Sequence, residues 1–256
     1  MSVRKHLGPS YDEEQYWDER FKFDSDSFEW LGSGGILLEA FQQAFPFTTG
    51  DTSRPPRVLQ LGAGTSKLSL DLARHMIDVY KSETILNSVL NLDFSHNALK
   101  IGQEQAASQG LEEMQYLHVD LRQWSELSSK NIDPIDFIMD KSTSDAISTN
   151  TNIDLTIQSR INNNLCPLLT KSKEKVSSLD PLDLVALHLA ALSNPGCLWA
   201  VLSYSSTRFQ IFSSPECLSQ KYWKIIQKKS VPAPSGSEVP GAPSVYHWFY
   251  LLQHQS

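Results

Sequence analysis

Short apolar runs alternate with helix-spaced apolar positions along most of the chain. Val58 to Leu61 is an apolar run that ends in Gly62-Ala63-Gly64, and Leu68, Leu70, Leu72, Ala73 and Met76 follow it. That order predicts strand, tight turn and helix. Ser88 to Leu92, closed by Asp93, predicts a second strand. Ser95 then caps a helix that runs through Ala98, Leu99 and Ile101 to about Gly110. Met114 to Val119 is a third strand. Asp136 to Asp140 is a fourth, with a polar exit from Lys141 to Ala146. Leu182 to Leu192 reads as helix, stopped by Ser193-Asn194-Pro195-Gly196. Cys197 to Tyr204 is a fifth, buried strand. Residues 206–220 lead into a sixth strand, Tyr222 to Lys229, and Val245 to Leu252 is a seventh. The Pro/Gly-rich stretch 232–243 between the last two argues against a crossover helix and predicts an antiparallel hairpin.

Two stretches break this rhythm. After a loose tail over residues 1–10, the chain enters through Tyr16-Trp17-Asp18-Glu19-Arg20-Phe21 and Phe28-Glu29-Trp30-Leu31. Trp17 and Phe21 stand four apart, one face of a helix. Two roles fit this aromatic entry: a packed N-terminal helix, or a lid whose rings face a cation or an adenine while Arg20 pairs with a carboxylate. A second helix is expected over 35–46, ended before Pro46, and a loop over 47–56. The other break is 147–181, rich in Ser, Thr, Asn and Lys, which reads as an inserted, partly mobile segment.

Composition narrows the class. The 256 residues suit one domain with a full core, 1–256, residues 1–46 forming its N-terminal lid. A net charge of -7 leaves no basic footprint, so nucleic acid is not the expected partner. Cys166, Cys197 and Cys217 are odd in number and widely spaced. Neither a disulfide framework nor a metal-ligand spacing emerges, and no metal is expected. No apolar run is long enough to span a membrane and no signal core is present, so no membrane partner is expected. The default is a reducing compartment, with the cytoplasm as the expected location.

The chemistry is expected where the strands end. Gly62 and Gly64 let the main chain come close to a ligand, and the helix start after them points N–H groups at the same place. Lys67 stands where the dinucleotide fingerprint has its third glycine, and no phosphate-loop lysine motif is present. Asp93, closing the second strand, is placed to accept hydrogen bonds from ribose hydroxyls. A nucleoside-bearing cofactor without a pyrophosphate follows, and S-adenosylmethionine fits. Asp120, after the third strand, is placed to hold an adenine amino group beside the Leu121 main-chain N–H, or else to cap the next turn. Asp140 and the polar burst behind it are either a helix cap or the floor of an active site, with the second favoured.

Five strand–helix units and a terminal hairpin form the layout of the seven-stranded methyltransferases: an α/β, Rossmann-like sheet with helices on both faces. The motifs Tyr16 to Phe21, Phe28-Glu29-Trp30, Leu59 to Ser66 and Asp140 to Ala146 resemble those of one methyltransferase-like group. It includes the elongation factor 1 alpha and citrate synthase lysine methyltransferases and fungal enzymes acting on secondary metabolites. The resemblance implies a fungal member of that group, using S-adenosylmethionine. It implies that Trp17, Phe21 and Trp30 contact the cofactor from the lid, and that Gly62 and Gly64 line its methionine part. Asp93 and Phe94 then take the ribose and flank the adenine, Asp120 and Leu121 receive the adenine, and Lys141 is a further cofactor contact. Gln60 stands where most such enzymes carry an acidic residue. Ser142 and Ser144 replace a glycine and an apolar residue. The two serines and the insertion fall on the acceptor side, where Asp140, Lys141, Asp145 and Tyr204 gather and no general base is assigned. The acceptor is a nucleophile, an amine for preference, on a protein lysine or on a small molecule. A nicotinamide oxidoreductase and an inactive binding scaffold are the competing readings.

Overall fold

A computed structural model of the chain describes residues 9–23, 29–46, 54–155, 165–170, 177–233 and 244–255. Phe28, most of the loop at 47–56, much of the insertion and nearly all of the Pro/Gly-rich stretch lie outside the described residues.

The central sheet is built from β1 (Val58–Leu61), β2 (Val89–Asp93), β3 (Gln115–His118), β4 (Ile135–Lys141), β7 (Ser193–Ser203), β8 (Trp223–Pro232) and β9 (Tyr246–His254). The order across it is β3-β2-β1-β4-β7-β9-β8. The first five strands pair in parallel, β1 with β2 and β4, β2 with β3, β4 with β7. Strand β9 runs antiparallel between β7 and β8. This is the expected seven-stranded sheet with a terminal antiparallel hairpin. Because β4 lies on one side of β1 while β2 and β3 lie on the other, the strand order reverses at β1. Open parallel sheets take ligands at the carboxyl ends of strands at such a point.

Helices cover both faces. They are α1 (Glu14–Phe23), α2 (Gly35–Ala44), α3 (Leu68–Tyr80), α4 (His96–Ala107), α5 (Trp124–Ser129), α6 (Thr143–Ile147), α7 (Pro167–Thr170) and α8 (Pro181–Leu192). Side chains alternate across each strand, so one strand feeds two cores. Leu59, Leu61 and Ile138 pack with Leu182, Val185, Leu189 and Trp199 on one face. Val58, Phe137 and Met139 pack with Leu37, Phe41, Leu72 and Met76 on the other. Helix α8 is buried almost all round, which explains its uninterrupted apolar composition. Asp180 caps it, accepting from the Leu182 and Asp183 N–H groups.

Three local expectations change. Ser193-Asn194-Pro195-Gly196 ends helix α8 but forms no loop: it is already the start of β7. The Asn194 amide donates to Asp136 Oδ1 at 2.7 Å, and the register of β4 against β7 shifts there, with Gly196 at φ 83°. Extra residues in a bulged strand absorb what sequence alone reads as a stop. Helix α5 breaks the expected pattern; it is short and polar apart from Trp124 and Leu127. The insertion is structured in its described parts: β5 (Ile153–Asp154) pairs antiparallel with β6 (Ser178–Leu179), and Leu155, Leu179, Leu184, Leu187 and Leu218 make a small core beneath them.

Candidate functional site

At the carboxyl ends of β1, β2, β3 and β4 lies a cavity of about 1040 Å³, part of it open to solvent. All ten residues singled out in the sequence border it: Trp17, Phe21, Trp30, Gly62, Gly64, Asp93, Phe94, Asp120, Leu121 and Lys141. So do Tyr11, Asp12, Arg122, Thr143, Asp145, Ile147 and Tyr204.

The floor is the glycine turn. Gly62 and Gly64 have φ of 52° and 54°, left-handed angles that favour glycine. At Gly62 a second constraint acts. Thr143 Oγ1 donates to the Leu61 carbonyl at 2.8 Å, and a Cβ at Gly62 would stand 2.3 Å from that oxygen. At Gly64 a Cβ would face Phe21 Cζ at 3.6 Å, in the gap between loop and lid.

The expectation that the start of α3 offers its N–H groups to a ligand needs correction. The Lys67 N–H donates to Glu29 Oε1 at 2.9 Å and the Leu68 N–H to Ser66 Oγ at 3.2 Å. Glu29 also accepts from Ser66 Oγ at 3.0 Å and from Lys141 Nζ. Its carboxylate therefore already occupies the positive end of the helix. Lys141, 8% exposed, donates a second bond to the Gly32 carbonyl at 3.0 Å. Burial holds its pKa below the ordinary lysine value, and Glu29 opposes that shift. This latch ties the residues before α2 to the glycine turn and to the end of β4.

Asp93 closes β2 at the cavity wall and is 7% exposed. Its Oδ2 accepts from the Gly64 N–H and its Oδ1 from the Ser95 N–H, each at 2.8 Å. A carboxylate has about four acceptor positions, so acceptor capacity remains for a ligand beside these donors and the Phe94 main chain. Desolvation pushes its pKa up to about 6, against the pull of those N–H groups and of His118. Asp120 is held differently. It forms a two-pronged ion pair with Arg122, Nε to Oδ1 and Nη2 to Oδ2 at 2.9 Å each. Arg122 reaches on to Asp12 at 3.9 Å. His188 supports this wall from below, its Nδ1 2.8 Å from the Leu121 carbonyl.

The N-terminal segment that borders the cavity is aromatic and packed. Trp17 stacks on Phe21 with ring centres 5.8 Å apart, and Tyr11 and Trp30 meet the Trp17 ring at 6.0 and 6.2 Å. Arg20 lies over both Trp17 and Trp30 at 5.8 Å, and its Nη1 donates to the Tyr16 hydroxyl at 3.3 Å. Helix α1 is docked by Asp18. That side chain accepts from Ser95 Oγ at 2.5 Å and from the Asn97 N–H at 3.2 Å, so it caps α4 from another element.

The polar burst after β4 divides into two roles. Asp140 is fully buried and caps α6, accepting from the Thr143 and Ser144 N–H groups at 2.9 and 3.2 Å and from Ser144 Oγ. Burial raises its pKa to about 6. The cap reading, which the sequence left second, is what Asp140 does. Asp145 borders the cavity but is saturated. Oδ1 accepts from Ser203 Oγ and Arg208 Nε, each at 2.6 Å. Oδ2 accepts from Ser142 Oγ at 2.8 Å and the Tyr204 N–H at 3.2 Å. Tyr204, half exposed, stands at the mouth with Arg208 over its ring. Burial and Asp145 raise its pKa, so it is a phenol donor, not a phenolate. Gln60 is buried in β1, and its Oε1 has no hydrogen-bond partner among the described residues.

Glu29, Arg122 and Asp18 act through tertiary contacts; Glu29 and Asp18 lie inside the aromatic N-terminal motifs, but nothing local shows which groups they meet. Only the spacing of Asp120 and Arg122, two apart, hinted at a pair.

Comparison with known proteins places this geometry. A model of the ubiE/COQ5 methyltransferase family matches residues 41–139, the span from α2 to β4. No curated protein sequence matches. Among solved structures, one concerning conversion of a disulfide bond into a thioacetal group during echinomycin biosynthesis is 15% identical. It has a TM-score of 0.56 over 95% of this chain and 93% of that one. A S-adenosylmethionine-dependent methyltransferase from Anabaena variabilis is 11% identical, TM-score 0.52, over 100% and 99%. The N-methyltransferase NodS from Bradyrhizobium japonicum, in complex with S-adenosylhomocysteine, is 8% identical, TM-score 0.50, over 94% and 99%. The residues here fit that cofactor: a loop bare of side chains at Gly62 and Gly64, a carboxylate with free acceptor positions at Asp93, and aromatic faces for a sulfonium and an adenine. The chain has the fold of the class I S-adenosylmethionine-dependent methyltransferases, and that fold together with the family match supports such an enzyme with S-adenosylmethionine as its cofactor.

Proposed function

We propose that the chain methylates a small organic nucleophile, a neutral amine for preference, seated between Tyr11, Tyr204 and Ile147. The observation that carries this reading is the lining of the cavity. Its surface is largely apolar, with six aromatic side chains along it, and each charged side chain on it is already answered: Asp12 and Asp120 by Arg122, Lys141 by Glu29, Asp145 by Arg208, Asp93 by backbone N–H groups. Such a wall suits an uncharged, partly apolar molecule.

When bound, S-adenosylmethionine supplies an electrophilic methyl group on a sulfonium. The rest falls to this chain. Asp93 would accept the ribose hydroxyls with its remaining acceptor capacity, with Phe94 beside the base. Asp120 and Leu121 form the adenine wall, and Gly62 and Gly64 let the methionine part approach the main chain. Trp17, Phe21 and Trp30 cover the sulfonium and exclude water. Lys141 acts through the Glu29 latch that holds the lid residues in place. Tyr204 can donate a hydrogen bond that orients the acceptor. Asp145 has no acceptor position left with which to take a proton. An amine enters in its neutral form, which the apolar surroundings favour, and orientation supplies the acceleration.

A lysine of a partner protein is the second reading. It draws on the resemblance to the lysine methyltransferases, and the half-exposed Tyr204 at an open mouth favours it. The resemblance to fungal enzymes acting on secondary metabolites supports the first. Labelled methyl transfer from S-adenosylmethionine into the small-molecule and the protein fractions of a cell extract decides between them. Label in the small-molecule fraction, lost in Tyr204→Ala, supports the first reading. Label in protein alone overturns it.

A further inference from the structure

Outside the cavity, one cluster among the described residues gathers metal-ligating side chains: Glu14, His96 and His118, whose ligand atoms all lie within 4.8 Å of one another. We propose that these three residues form a binding site for one divalent transition cation of the zinc class, which fastens helix α1 to the body of the protein.

The three ligands come from three elements. Glu14 is the first residue of α1, His96 the first of α4 and His118 the last of β3. Two imidazoles and a carboxylate form a donor set suited to zinc, with water in the fourth position. Zinc bonds to nitrogen and oxygen of about 2.0–2.2 Å set tetrahedral ligand atoms roughly 3.3–3.6 Å apart. His118 Nε2 and Glu14 Oε1 already stand at 3.4 Å. The third ligand is close but turned. His96 stacks flat on His118, ring centres 3.7 Å apart and planes 10° from parallel, so the two rings cannot both aim a lone pair at one point. His96 is exposed, so its ring has room to turn out of the stack toward the other two. His118 Nε2 exchanges its 2.6 Å contact with the Phe94 carbonyl for the metal.

The position gives the site its consequence. One turn along α1 from Glu14, Asp18 already caps α4. A cation shared by Glu14, His96 and His118 adds a second tie between the same elements. It closes a chain segment of more than eighty residues, from Glu14 to His96, and α1 carries Trp17 and Phe21 into the cavity. Metal binding then slows opening of α1.

The test uses the full chain, stripped of metal and free of cofactor, so its outcome does not depend on the methyl-transfer reading. Zinc chloride is titrated calorimetrically into wild type, Glu14→Gln, His96→Ala, His118→Ala and, as a control, His75→Ala, which lies elsewhere on α3. One equivalent is expected to bind wild type and His75→Ala alike. Each of the three ligand variants loses more than about 100-fold in affinity, beyond what loss of a supporting partner costs. Amide exchange over 14–23 slows with zinc in wild type and not in His96→Ala. Because His96 is exposed, that variant is expected to fold even where His118→Ala does not. Absence of saturable binding in wild type, or binding that His96→Ala leaves unchanged, overturns the proposal.

Discussion

Proton uptake at Asp93 separates a ligand-binding carboxylate from a merely buried one. Burial raises its pKa to about 6, against about 3.9 for an ordinary aspartate. Ribose hydroxyls donate to the ionised form, so binding requires it. With a pKa of about 6, roughly a tenth of Asp93 is ionised at about pH 5 and nine tenths at about pH 7. Affinity for S-adenosylhomocysteine then falls about tenfold from pH 7 to pH 5, or about 1.4 kcal/mol. Stability moves the other way. A carboxyl with a raised folded-state pKa binds its proton more tightly in the folded than in the unfolded chain. Its contribution is therefore full below about pH 4 and is lost as pH rises through about 6. Asp140, also raised to about 6, adds to the stability slope but sits in the α6 cap and adds nothing to the binding slope. Calorimetric titration with S-adenosylhomocysteine across this pH range, beside urea unfolding at each pH, reads both quantities. Asp93→Asn is expected to flatten the binding profile and part of the stability profile. A flat wild-type affinity between pH 5 and 7, or a slope that persists in Asp93→Asn, would refute the assignment.

Three further outcomes follow from the same contacts. Glu29→Ala leaves Lys141 buried without its carboxylate and costs about 3–5 kcal/mol in urea unfolding, discounted toward the lower figure because Glu29 is partly exposed; Glu29→Ala/Lys141→Met is expected to recover much of it, and equal losses in single and double variants would show that the latch does not matter. Gly62→Ala combines a left-handed backbone, about 1–2 kcal/mol, with a Cβ 2.3 Å from Thr143 Oγ1, about 1–3 kcal/mol more. A companion Thr143→Ala relieves part of the second cost, and a Gly62→Ala melting temperature equal to wild type would contradict this. Asp145→Ala strands Arg208 and three other donors and lowers stability by about 3–5 kcal/mol; if it abolished methyl transfer while stability held, Asp145 would be taking part in the chemistry after all.

The parts of the fold that could be read in the sequence are those set by local pattern. Val58 to Leu61 and Val89 to Leu92 are buried on both faces, so they appear as short apolar runs, each interrupted by a single amide, Gln60 or Asn91. Ser95 caps α4 as its position suggested, accepting from the Ala98 N–H at 3.2 Å. Asp93 could be placed at the site because the end of a strand is a fixed address in a parallel sheet. What could not be read depends on contacts between distant residues. Glu29 looks like any surface glutamate until the lid folds over α3 and brings it to Lys141, 112 positions away. Asp140 and Asp145 share one short polar stretch, and nothing local says that the first caps a helix while the second meets Arg208, 63 positions on. Glu14, His96 and His118 carry no motif spacing, so sequence alone gave no metal. Strands β5 and β6 are two residues each, too short to leave a period.

The central claim is that the cavity at the ends of β1 to β4 holds S-adenosylmethionine under the α1 lid. Amide hydrogen exchange with and without saturating S-adenosylhomocysteine tests it most directly. The account predicts slowed exchange at residues 62–66, 93–95 and 120–122 and along α1, with little change in β8 and β9. Failure to bind, or protection confined to segments away from the cavity, would contradict it.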